Sequence, residues 1–244
     1  MQKSKIISVF VAAIAFAGAS YAQEVNSTNI VNGNTFDHAV YSKVGFPGVG
    51  FGYAYGLNKN FGLRADVTTI GSYSGDKTSD NLNYNAKLNY NQAGFYGDYF
   101  PFESNFRLTA GLNFRDAKVN GDGRPNGSNQ LTVGDTTVTV NSNDIIKARI
   151  KMPTVAPYVG IGWGLNTAAS SKGWSFFADV GVTIGKPKVS LQANQSLMDK
   201  LDTVAVANGS TGQAELDKQT AQLKRDADKL KFIPQVFVGV AYKF

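Results

Sequence analysis

The 244-residue sequence contains no cysteine and one histidine, His38. Without thiols, neither a disulfide framework nor a thiolate metal site can form, so stability must come from backbone pairing and burial. No serine or carboxylate is spaced around His38 as a nucleophile–base pair would require, and the residue reads as a surface or turn histidine. No histidine or carboxylate cluster has ligand spacing. The tract Asn120-Gly121-Asp122-Gly123 hints at a calcium loop but lacks the later carboxylates, and reads as a plain turn. The expectation is therefore no catalytic residues, no metal and no cofactor. A strong charge imbalance is also missing. Lys and Arg number 24 against 18 Asp and Glu, and a net +6 is too weak to argue for a nucleic-acid partner.

Long apolar runs are missing too, apart from one at the start. Lys3 and Lys5 precede the apolar stretch Ile6 to Ala17, and small residues follow, ending Ser20-Tyr21-Ala22. This pattern predicts a secretory signal peptide over residues 1–22, Sec-type export and cleavage near Ala22. A transmembrane helix is the alternative, but the run falls short of the ~20 residues a span needs. Losing Lys3 and Lys5 lowers the net charge from +6 to +4. After export, residues 23–244 form a periplasmic, secreted or barrel domain. The negative mean hydropathy suits a barrel, whose strands spread their apolar residues in alternation.

What the chain does have is period two. Val49, Phe51, Tyr53, Tyr55 and Leu57 alternate with Gly and Ala, and Phe61, Leu63, Ala65 and Val67 alternate with Gly62, Arg64, Asp66 and Thr68. The pattern recurs at 106–115, 155–165, 174–185 and 236–244, with large apolar residues opposite small or charged ones. Two strands change phase: the one over 84–99, where a bulge near Asn91-Gln92 would reconcile the halves, and the one entering at Ile145, which switches at Pro153. Short connections at 58–60, 100–105 and 166–173 alternate with long polar ones at 75–83, 118–145 and 186–232. That is the habit of short periplasmic turns and long external loops. Seven strands are legible, and two periplasmic ends require an even number, so an eighth belongs at His38 to Gly45. The fold class expected is all-β: an eight-stranded antiparallel transmembrane barrel with long extracellular loops. A soluble β-sandwich also alternates. It would not set Arg and Asp on a Gly-rich interior while aromatics mark the other face.

Inward positions carry Arg64, Asp66, Asp98, Arg107, Arg115, Asp179 and Lys243. They fit either a filled, salt-bridged interior or a narrow polar conduit for small zwitterionic or cationic solutes. Lys147, Arg149 and Lys151 place cations near a mouth. The second long loop predicts an external hairpin at about 130–140, turning at Gly134-Asp135. The third predicts an amphipathic helix over about 213–231, with Leu216, Thr220, Leu223, Ala227 and Leu230 at three–four spacing. Such a helix could cap the barrel mouth, lie on the surface or bind a partner helix. Val240, Tyr242 and the terminal Phe244 form the alternating end by which barrel-assembly machinery recognises its clients.

A family likeness rests on Val155-Ala156-Pro157-Tyr158-Val159-Gly160-Ile161-Gly162-Trp163-Gly164, then Gly185-Lys186-Pro187-Lys188-Val189-Ser190-Leu191, then a charged helix and Phe232-Ile233-Pro234 before the last strand. In this order the chain resembles the CarO-type, carbapenem-susceptibility-associated outer-membrane proteins, most closely over its C-terminal third. The resemblance implies an eight-stranded barrel with extracellular loops and passive uptake of small molecules such as basic amino acids and some β-lactams. It carries no binding residue onto this chain.

Two function classes remain in play. One is porin-like passive uptake of small polar or cationic solutes, supported by Gly-lined strands and the cationic mouth but opposed by the lumen width. The other is a structural or adhesive surface barrel acting through its loops. A barrel hydrolase or acyltransferase comes last for want of catalytic groups. Expected partners are outer-membrane lipid and lipopolysaccharide, the barrel-assembly machinery, periplasmic chaperones and small solutes, with no nucleic acid.

Overall fold

A computed structural model of the chain describes residues 37–79, 82–125, 129–169 and 171–244. The expected signal peptide over 1–22 lies outside them. Strands β1 (Asp37–Phe46), β2 (Gly48–Gly56), β3 (Phe61–Ser79), β4 (Leu82–Tyr99) and β5 (Phe106–Pro125) form a meander. Next come β6 (Asn129–Val133), β7 (Thr136–Val140), β8 (Ile146–Lys151), β9 (Val155–Trp163), β10 (Gly173–Ile184) and β11 (Lys188–Ala193). Helices α1 (Gln195–Ala207) and α2 (Gly212–Ala227) precede β12 (Phe232–Lys243).

Eight of the strands close a ring in the order β1-β2-β3-β4-β5-β9-β10-β12, with β12 pairing antiparallel to β1. Closure leaves no unpaired edge around the ring. β1 is the eighth strand that parity requires. It turns at Phe46-Pro47 into β2, so that Gly45 and Gly48 are partners. Short turns join β2 to β3, β4 to β5 and β9 to β10 at one rim; the long excursions leave from the other.

The two phase changes read from the sequence have a different cause. β4 holds constant register with β5 from Tyr99↔Leu108 to Leu82↔Pro125, so it contains no bulge. The irregularity at that height lies in the neighbouring β3, where register slips between Thr69 and Gly71. At Pro153 nothing slips either. β5 pairs with β9 at Phe114↔Val155 and with β8 at Lys118↔Lys151, in one register. Backbone bonds Arg115 N to Thr154 O (2.7 Å) and Met152 N to Ala117 O (2.9 Å) bridge the gap.

What inverts is the chemistry of the two faces. Along β5 the inward residues run Arg107, Thr109, Asn113 and Arg115, then Ala117 and Val119, all buried. The outward residues run Leu108, Leu112 and Phe114, exposed, then Asp116, Lys118 and Asn120. On β8 the inward Ala148 and Ile150 are buried while Lys147, Arg149 and Lys151 point away from the lumen into solvent. These three cations stand on the outer face of the raised wall. Residues 75–79, 82–83 and 118–125, read as loop, are continuations of β3, β4 and β5 that raise one side of the wall above the apolar band. Asn120-Gly121-Asp122-Gly123 is strand within that wall, not a turn. Strands that leave the band need polar residues on the face that water reaches, and it is this swap that imitates a phase change.

The excursions build a cap. The β6–β7 hairpin turns at Gly134, whose φ of 63° suits glycine. Leu131, Val133, Val138 and Val140 of the hairpin pack with Leu197 and Leu201 of α1 and Leu216 of α2. Ile146, Leu191 and Ala193 of the raised wall pack against the same cluster, which puts the cap on the lumen side of that wall. Asn194 caps α1 and Thr211 caps α2, each accepting from the helix's first turn.

Candidate functional site: the barrel lumen

The pleat sends every second side chain of eight strands into a lumen that at this strand number is just wide enough for side chains to fill. All seven residues read as lumen-lining (Arg64, Asp66, Asp98, Arg107, Arg115, Asp179 and Lys243) lie inward and buried. Four of them form one balanced cluster. Arg64 on β3 binds Asp98 on β4 through Nε and, at 3.1 Å, through Nη2. It also donates from Nη1 to Asp179 Oδ2 at 3.2 Å. Arg107 donates to Asp179 Oδ1 at 2.5 Å and to the Gly164 carbonyl. Thr109 Oγ1 adds a bond to Asp98 at 2.6 Å. β3 and β10 are four strands apart whichever way the ring is followed, so Arg64–Asp179 spans the full barrel diameter.

Residues that the sequence reading did not select complete the filling. Lys43 on β1 bonds Asp66 at 2.7 Å, and Tyr41 donates to the same oxygen at 2.9 Å. Lys243 pairs with Asp37 at 3.3 Å near the short-turn rim. Nearer the loops, Gln235 donates to Thr183 at 3.0 Å and to Gln92 at 3.1 Å, while Asn113 links Tyr96 and Thr183 at 2.8 Å each. Lys43 and Asp37 stand on β1, whose weak alternation hid them. Gln92, Asn113 and Thr183 are uncharged and gave no signal beyond their inward parity.

The inward glycines receive side chains rather than widening a pore. A Cβ on Gly162 would lie 2.6 Å from Asp179 Oδ1 and 2.8 Å from Arg107 Cζ, and one on Gly160 would lie 2.6 Å from the Tyr158 hydroxyl. At the short-turn rim, buried Leu165 (φ 61°) joins Tyr41 and Phe177 inside the barrel. Asn166 ties the three turns together by donating to Lys59 O at 3.1 Å and Ser104 O at 2.9 Å. The lumen is thus occupied by side chains in successive layers, and the short turns close it at their own rim.

Some lumen atoms are left unmatched: Asp66 Oδ1, Thr68 Oγ1, Gln92 Nε2 and Arg107 Nε are buried with no hydrogen-bond partner among the described residues. Arg115 donates from Nε to Pro153 O at 3.0 Å, but its two terminal nitrogens, both buried, have no hydrogen-bond partner among the described residues. His38 lies outside the lumen. On the outward side of β1 it bonds the Tyr53 hydroxyl and stacks on Phe244 at 5.9 Å, in an aromatic group that includes Tyr55. No group of three or more potential ligands for a metal occurs among the described residues, and no helix there is long and apolar enough to cross a membrane.

Outside the membrane-type band, the cap holds its own charged centre. Glu215 accepts from Lys218 Nζ at 2.8 Å, Ser210 Oγ at 2.7 Å and the Asp135 backbone N at 2.6 Å. These donors, the lysine foremost, hold its carboxyl at about 2, and the same contact raises the Lys218 ammonium above its ordinary value. The bond to Asp135 N fastens α2 to the hairpin turn.

No family model and no curated protein matches the sequence. Solved structures do match. The crystal structure of Acinetobacter baumannii CarO2 superposes with a TM-score of 0.57 at 21% identity, covering 86% of this chain and 99% of that one. The fold is that of the CarO barrels. A second crystal structure, of Acinetobacter baumannii CarO, gives a TM-score of 0.53 at 18% identity over 84% of this chain and 97% of its own. Both CarO matches span nearly the whole neighbour, so the likeness extends beyond the barrel ring to most of the described chain.

Proposed function

We propose that the chain is an outer-membrane surface barrel that displays a folded external cap and has no continuous pore. The single observation that carries this reading is the Arg64–Asp179 bridge across the full barrel diameter, inside a lumen filled by buried side chains. The membrane location is supported by the outward band. Trp174, Phe51 and Phe176 are 76%, 68% and 68% exposed, within a belt of apolar side chains far larger than a soluble monomer leaves in water. The CarO fold favours the same compartment. A residue 1–22 signal peptide would direct export, and the outward Val240 and Tyr242 of β12, with the exposed Phe244 that follows it, would present the end that barrel-assembly machinery and its chaperones read. The role this reading assigns is structural or adhesive, exerted through the cap and the loops.

Liposome swelling and planar-bilayer recording on refolded full-length protein test the proposal. Wild type is expected to give no solute-size-dependent flux; a reproducible unitary conductance would overturn it. Porin-like uptake of small polar solutes is the second reading, and one observation favours it. The unpartnered end of Arg115, at the loop side of the filled lumen, is a group that an entering carboxylate would meet.

A further inference from the structure

The outward face of the raised wall carries three lysines side by side. Lys118 of β5 is the register partner of Lys151 of β8, which in turn is the partner of Lys188 of β11. Partner strands lie about 4.8 Å apart, and like charges placed directly opposite each other destabilise a sheet. The next rows up add Arg149 and Lys147, and the exposed Lys186 lies just below Lys188. Against these six cations stand two carboxylates, Asp116 and Asp122. Asp116 pairs with Lys118 at 3.1 Å, whereas Lys151 and Lys188 have no carboxylate partner among the described residues.

The height of the row is as regular as its register. Each lysine is four residues beyond the last apolar outward residue of its own run: Phe114 on β5, Val155 on β9 and Ile184 on β10. Four residues rise about 10 Å along a strand tilted as in small barrels. That sets three ammonium groups just above an apolar belt, at the level where headgroups begin if the belt is in a bilayer. Charge on the rest of the raised wall is sparse. The outward side of β4 at this level carries Asn85, Asn89 and Asn91 with a single Lys87.

We propose that the Lys118–Lys151–Lys188 row is a binding site for the phosphates of an anionic glycolipid in the outer leaflet. The inference rests on the membrane reading above and gives it a site. Compact ammonium charges suit phosphomonoesters, and a phosphate lying across the row removes the like-charge repulsion that the register imposes.

The test titrates detergent-solubilised full-length protein with bisphosphorylated lipid A and with the same lipid stripped of phosphate, read by native mass spectrometry. Wild type is expected to prefer the phosphorylated lipid. K118Q/K151Q/K188Q should weaken that binding by roughly fivefold per lysine, on the order of a hundredfold in all. K59Q/K172Q/K224Q removes the same charge elsewhere and should bind as wild type. Heat-modifiable migration reports folding; should the triple variant fail it, K151Q at the centre of the row is expected to show the fivefold step alone. Equal binding of both lipids, an unaffected triple variant, equal loss in the control variant, or displacement by equimolar inorganic phosphate would each overturn the site. Insertion into phosphatidylcholine vesicles separates the two failures: a chain that inserts but ignores phosphate loses only the site, and one that does not insert loses the membrane reading as well.

Discussion

Gln235 of β12 donates to Gln92 of β4 at 3.1 Å, across four strands in either direction around the ring. It forms a second diametral link on the loop side of Arg64–Asp179. The two links differ in kind. One is a buried ion pair whose worth depends on keeping its charges balanced; the other is a neutral amide contact. Both must part before a solute can pass.

The ion-pair layer answers to charge balance. Asp179→Asn leaves Arg64 and Arg107 facing one carboxylate, Asp98, and should cost about 3–5 kcal/mol in urea unfolding of the refolded barrel. Adding Arg107→Met restores one cation to one anion and should return stability toward wild type. A double variant as unstable as the sum of its parts would refute a shared cluster.

Removing both diametral links should open a leak. Arg64→Ala with Gln235→Ala, in protein that still migrates as a folded barrel, is expected to admit small solutes in the swelling assay where wild type does not. If neither does, the remaining side chains suffice to close the lumen, and the two links are not the gate.

The cap has a pH dependence of calculable sign. The Glu215 carboxyl is depressed from an ordinary 4.5 to about 2 in the folded state. A depressed pKa contributes stability that is fully present above the unfolded value and lost as pH falls through the folded one. Glu215→Gln should therefore loosen the cap at pH 7, and the difference from wild type should fade between about pH 4.5 and 2, followed by hydrogen exchange at the Asp135 amide.

The cap should also fail independently of the barrel. Leu201 is fully buried between the hairpin and the helices. Leu201→Ala should cost about 2–5 kcal/mol of cap stability, seen as protease cleavage within residues 195–227, with the barrel's heat-modifiable shift unchanged. Loss of both together would show that barrel and cap unfold as one unit.

Much of the barrel was legible because its strands expose one chemistry outward and another inward, and period two records that directly. The inward charges Arg64, Asp98, Arg107 and Asp179 followed from the same parity. β1 was harder, since Lys43 and Asp37 alternate with Ser42 and His38, and only ring closure demanded it. Helix α1 went unread. Its stripe Leu197, Leu201 and Ala205 has helical spacing and a capping Asn194, but β-branched Thr203, Val204 and Val206 and the short length diluted the signal.

The sequence by itself determined alternation, strand parity and which charges point inward, because these depend on local spacing alone. Tertiary structure decided three other things. It kept register constant through Asn91-Gln92 and Pro153 while the faces exchanged chemistry, because the raised wall meets water outside and the cap inside. It paired Arg64 with a carboxylate 115 residues away. It also aligned Lys118, Lys151 and Lys188 in one row. Contacts across a closed ring depend on how far each strand is sheared against the next, and no single strand's sequence contains that offset.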